Sequence, residues 1–126
     1  MRGSWRSAKP PKMYGSDMAV FGFAFNRGGF QAIDMVNGGL REFVVDPAPE
    51  DTFDAALAAT TYPILAMDLR AADADSWLRQ PHLTRNIGAG YADMYPSYYF
   101  TNLIAPATFD AVLFVENTTR ARPVTP

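Results

Sequence analysis

An acid and a base stand two residues apart at the end of an apolar run, Pro63-Ile64-Leu65-Ala66-Met67-Asp68-Leu69-Arg70. If the run is a strand, side chains alternate between faces and Asp68 and Arg70 share one. Such a pair can hold a polar group of a substrate at a strand end, where open α/β sheets place their ligand sites. It can equally be an ion pair that ties the strand end to a loop. His82 is the single histidine, and histidine is the commonest general base. It follows Pro81 in a loop, with no serine or carboxylate at a motif spacing and no Gly-x-Ser-x-Gly elbow in the chain. A packing or surface role accounts for it. The chain has no cysteine, so thiolate chemistry, a disulfide frame and a cysteine zinc site are all excluded. One histidine among scattered aspartates makes no metal cluster, and no cofactor is implied.

Two glycine-containing stretches, Arg27-Gly28-Gly29 and Asn86-Ile87-Gly88-Ala89-Gly90, invite comparison with phosphate-binding loops. Neither carries the Gly-Lys-Ser/Thr ending of a P-loop, and Asp93 stands where the third glycine of a dinucleotide fingerprint belongs. Turn geometry explains both. Asp73 and Asp75 lack the later ligands of a calcium loop. Tyr91, Tyr95, Tyr98, Tyr99 and Phe100 form the densest aromatic patch. It suits a pocket for a bulky apolar ligand, a lid over the core or an oligomer contact, with core packing the favoured reading.

The elements that must position these residues follow from periodicity. Met18 to Phe25 alternates large and small, with Phe21, Phe23 and Phe25 on one face and Gly22 and Ala24 on the other. The small face would let another layer approach closely. Asn26-Arg27-Gly28-Gly29 predicts a turn, Phe30 to Val36 a returning strand, Asn37-Gly38-Gly39 a hairpin turn and Leu40 to Val45 a third strand. These three strands predict an antiparallel meander. Asp51 or Thr52 caps a helix to about Thr60, with Phe53, Ala56 and Leu57 as its apolar stripe. Ile64 to Leu69 then reads as a strand covered on both faces. A helical turn at Ser76 to Arg79, an irregular Thr84 to Tyr91 and a buried strand from Phe109 to Val115 complete the order. The predicted class is α/β, a layered arrangement with a mixed sheet.

With 126 residues, 48% hydrophobic, the chain suits one domain and a real core. Its net charge of −2 leaves no basic field for nucleic acid and no polybasic hold on a membrane. No apolar run reaches the length of a membrane span, and a cytoplasmic setting fits. Residues 1–16, with four positive charges and Pro10-Pro11, read as an irregular leader; 17–117 form the folded region and 118–126 a tail.

The succession Val20-Phe21-Gly22-Phe23, Gly29-Phe30-Gln31-Ala32, Pro47-Ala48-Pro49, Asp68-Leu69-Arg70, Trp77-Leu78, Arg85-Asn86-Ile87-Gly88, Phe109-Asp110-Ala111-Val112 and Thr118-Thr119 resembles the C-terminal part of the erythromycin esterase family. The resemblance runs from about Met13 to Pro123. It implies a three-layer α/β fold and a hydrolase that opens macrolide lactones or another ester, as in antibiotic resistance, with a water activated by His and Glu residues. The family's catalytic residues lie upstream of the matched region, and His82 coincides with none of them. By the resemblance only Asp68, Arg70 and Arg85 transfer, in structural or pocket-supporting roles. The chain is therefore expected to be a C-terminal fragment or truncated homologue of such an enzyme, inactive alone. The alternative is a stand-alone binding or assembly module that keeps the sheet and its aromatic patch. A piece of such a sheet would expose an edge and one apolar face, inviting self-association.

Overall fold

Phe21–Asp34 runs as one strand of 14 residues, β1, and everything else is laid against it. The computed structural model describes residues 17–124; the leader expected over 1–16 lies outside them. Along β1 the even positions Gly22, Ala24, Asn26, Ala32 and Asp34 are buried, so the small-residue face is the one covered. The ring of Phe109 occupies the space that a side chain at Gly22 would fill.

The turn expected at Asn26 to Gly29 is not there. The first part of β1 pairs in parallel with β7 (Ala111–Thr118), and its second part pairs antiparallel with β2 (Leu40–Val45). Gly28 sits at the exchange, opposite both Val45 and Thr118. Its φ of +119° and the Thr118 backbone pressed against the position of a Cβ explain the glycine. It permits a close approach inside a strand and reverses nothing. The expected three-stranded meander is thus a two-stranded hairpin, β1–β2. The second turn is where the sequence predicts it. Asp34 Oδ1 accepts the Val36 and Asn37 N–H groups, and Gly38 and Gly39 take φ values of +80° and +79°.

The large sheet has the order β2-β1-β7-β3, with β5 (Gly90–Tyr91) parallel to the end of β1. β3 (Ile64–Asp68) lies antiparallel to β7 at the edge. A second, two-stranded sheet joins β4 (His82–Arg85) to β6 (Phe100–Leu103). The stretch expected to be irregular therefore holds two strands, too short for a period to show. β7 also outlasts its predicted end. Glu116 to Thr118 stay in the strand, where Asn117 and Thr118 lie opposite Arg27 and Gly28.

Helix α1 (Phe53–Ala58) is capped by Thr52, whose hydroxyl accepts the Ala55 N–H at 3.1 Å. It buries Phe53 and Leu57 against the sheet, and with α2 (Ala105–Thr108) it belongs to the covering layer. One core joins Ala24, Val112 and Phe114 of the sheet to Phe53, Leu57 and Leu69. A second gathers Phe43, Val45 and Ala32 around Tyr91, whose ring meets those of Phe30 and Phe43 edge-on at 5.1 and 5.0 Å.

The opposite face of the sheet is open. Register places Phe23, Leu113 and Ala66 side by side there, next to the Val115–Ile64 pair. Phe23 is 78% exposed and Ile64 74%. β3 is thus covered on one face and not on both, as its apolar run predicted. The architecture is a layered α/β fold with a mixed sheet; among the described residues the sheet ends at β2 and β3, and its Phe23 face is exposed.

Candidate functional site

Asp68 and Arg70 do meet. The Arg70 Nε and Nη2 groups donate to the two Asp68 oxygens at 3.0 and 2.9 Å, and the Arg70 amide adds a third bond at 3.0 Å. Leu69 between them is fully buried, so alternation puts the charged pair outside. The guanidinium holds the Asp68 carboxyl down at about 2, and the pair lies outside the cavities beside Arg85, Tyr95 and Gly29. Both side chains are more than half exposed, so the pair closes on itself at the surface.

His82 stacks on Trp77, with ring centroids 3.6 Å apart, and its Nε2 lies 2.8 Å from the Trp77 carbonyl oxygen. Trp77 in turn stacks on buried Phe53. The histidine is thereby held as an outer ring of the covering layer.

Arg85 is set apart from that pair. It ends β4, and its side chain crosses to the large sheet. Nη1 donates to the Asn26 carbonyl at 2.7 Å and Nη2 to the Asp46 carbonyl at 3.0 Å. The rings of Phe25 and Phe100 each lie with their centres 5.1 Å from the guanidinium carbon. Partial burial lowers its pKa, since desolvation disfavours the charged form. Asn26 is a relay in the same place: its side chain accepts the Ala48 N–H and donates to Glu116, which also binds Arg27.

Beside Arg85 opens a cavity of about 360 Å³. Val45, Pro47, Ile87, Tyr91, Tyr99 and Phe100 give it mostly apolar walls, and Ser97, Asp46 and Asp93 also line it. The aromatic patch predicted as one unit is thus divided: Tyr91 is core and cavity wall at once, Tyr99 and Phe100 are cavity wall, and Tyr95 and Tyr98 are largely exposed.

One group escaped the sequence reading. Asp54, in the first turn of α1, is 0% exposed; its Oδ1 accepts the Arg85 N–H at 3.1 Å and its Oδ2 has no partner. Burial pushes its pKa up to about 6, and the Arg85 amide and charge pull the other way. An acid in a first helical turn ordinarily faces solvent and favours the helix dipole, so nothing in its spacing announced burial.

The fold and the cavity define one end of a mixed α/β sheet, with a half-buried arginine over an aromatic pocket. The chain belongs to the erythromycin esterase family, whose model matches residues 11–118. No curated protein matches it. Among solved structures it is similar to a protein from Bacillus cereus, at TM-score 0.72 and 14% identity over 84% of this chain and 26% of that one. It is also similar to a succinoglycan biosynthesis protein, at TM-score 0.64 and 16% identity over 79% of this chain and 24% of the other. The chain therefore spans about a quarter of each of these relatives. Within the described residues, no helix is long and apolar enough to cross a membrane.

Proposed function

We propose that the chain is the C-terminal part, or a shortened relative, of an erythromycin esterase-like hydrolase acting on a macrolide lactone or another ester. On this reading it supplies scaffold and a pocket wall, works in the cytoplasm and turns over no ester alone. The observation that supports it most is the open apolar face of the large sheet. Phe21, Phe23 and Ile64 stand in solvent on a sheet whose other face is packed, and patches of this kind mark surfaces made to be covered. The family match and the solved structures' roughly threefold greater length favour a covering layer of the same fold. His82 stacks on Trp77 with its Nε2 at the Trp77 carbonyl, the contacts of a packing residue.

The purified chain is the test. Incubated with erythromycin and with a chromogenic ester, it is expected to show no turnover above buffer. Hydrolysis abolished by His82→Ala would overturn the proposal. The same face predicts self-association in solution, which the paired change Phe23→Lys and Ile64→Lys should reduce in light scattering. Both side chains are exposed, so the paired variant keeps the core. A parent chain that stays monomeric at all concentrations contradicts this part.

A further inference from the structure

The cavity beside Arg85 has a feature that the scaffold role leaves unused. Among the described residues, no carboxylate lies within ion-pair distance of the Arg85 guanidinium. Its direct contacts are two carbonyl oxygens and two aromatic rings, while Asp54 and Asp46 offset part of its charge from further off. Asp54 touches the Arg85 main chain, at the amide. Burying a cation is costly unless a counter-charge meets it, and carbonyls and ring faces offset only part of that cost. A guanidinium has five N–H donors in a planar fork matched to a carboxylate. Two are used on carbonyls, which leaves donors for a group entering the cavity.

The remaining walls limit what can enter. They are largely apolar and enclose about 360 Å³, in the lower part of the ~300–1,000 Å³ typical of small-molecule sites. Tyr99 Oη accepts the Ala92 N–H at 3.0 Å and keeps its own O–H to donate. Two further acids line the site. Asp93 is held by Arg41 at 2.6 Å, and Asp46 is exposed. With Asp93 neutralised by Arg41, Arg85 can offset one carboxylate against Asp46 and no more. We infer that this cavity is a binding site for a monocarboxylate with an apolar or aromatic body, its carboxylate on Arg85 and its body between Ile87, Tyr91, Tyr99 and Phe100. The site stands apart from the hydrolase reading, because binding needs no catalytic group.

The experiment is a titration of the ¹⁵N-labelled chain with 3-phenylpropionate, following the amides of Ile87, Ser97 and Phe100. Saturable shifts at those amides are expected. 3-Phenylpropionamide, of the same shape without the charge, should bind about tenfold more weakly or worse, as loss of a charge-assisted bond implies. Arg85→Lys should weaken the acid by several-fold, because a point charge cannot reproduce the fork. Arg85 also ties Asn26 to Asp46, so a second variant guards against misfolding. Ser97→Trp on the exposed rim blocks the cavity without touching those ties, and should abolish the shifts while leaving the remaining spectrum unchanged. The inference is overturned if the acid gives no saturable shifts, if the amide binds as well as the acid, or if Ser97→Trp binds like the parent. Inorganic phosphate binding more tightly than the monocarboxylate would overturn it too.

Discussion

Replacing Asp54 by asparagine separates a buried acid's charge from its shape. In the folded chain the Asp54 carboxyl is pushed up to about 6 from its ordinary 3.8, first by desolvation, against the pull of the Arg85 amide and charge. A raised pKa means that the folded state holds the proton more tightly than the unfolded one. Stability from this group is therefore greatest below about pH 4 and falls as pH rises through about 4 to 6. A difference of roughly two pK units corresponds to about 3 kcal/mol. In Asp54→Asn the new side chain keeps an oxygen for the Arg85 N–H and has no acidic proton to lose. Urea unfolding of parent and variant from about pH 4 to about pH 8 measures the difference, and subtraction removes the other carboxylates. Relative to the parent, the variant should gain stability across that window by about 2–3 kcal/mol and then level off. A parent-to-variant difference that stays constant with pH would refute a buried, proton-binding Asp54.

Two further changes probe the frame. Gly28→Ala places a methyl group against the Thr118 backbone at a φ of +119°; it should cost about 2–4 kcal/mol in urea unfolding, and a variant as stable as its parent would contradict the strand exchange at that residue. Asp68→Asn breaks a pair whose side chains are both exposed, so the unfolding midpoint near neutrality and the titration of the Arg85 cavity should barely move. Because Arg70 depresses the Asp68 pKa to about 2, whatever small stability the pair adds is present above about pH 4 and should vanish as pH falls through about 2.

Much of the fold was legible, for local reasons. The Asn37-Gly38-Gly39 turn, the Thr52 cap and the Ser76 turn are each decided within a few residues. The reading failed where tertiary pairing overrides local chemistry. Arg27-Gly28-Gly29 has the composition of a turn, yet β7 and β2 hold it straight from both sides. β4 and β5 are strands only because β6 and β1 lie beside them. The site divides in the same way. Asp68 and Arg70 pair as two-residue spacing on a strand predicts, since alternation is a local rule. Arg85 was singled out only through the resemblance, and its place over Phe25 and Phe100, with the burial of Asp54 behind it, depends on contacts between distant segments. No window of sequence contains them.

The parallel pairing of β1 with β7 has a kinetic side. Val20 and Asp110, which fasten the start of that pairing in both directions, lie 90 residues apart. Closing so long a loop costs chain entropy before any contact repays it, and folds rich in such distant pairings fold slowly. The β1–β2 hairpin can form early, because it needs only its own turn. The middle of the sheet cannot exist until β7 has been synthesised. On the ribosome, the phenylalanines of β1 must therefore wait while about 90 further residues are added for the neighbour that completes their sheet, an interval in which a chaperone or a second nascent chain can reach them first.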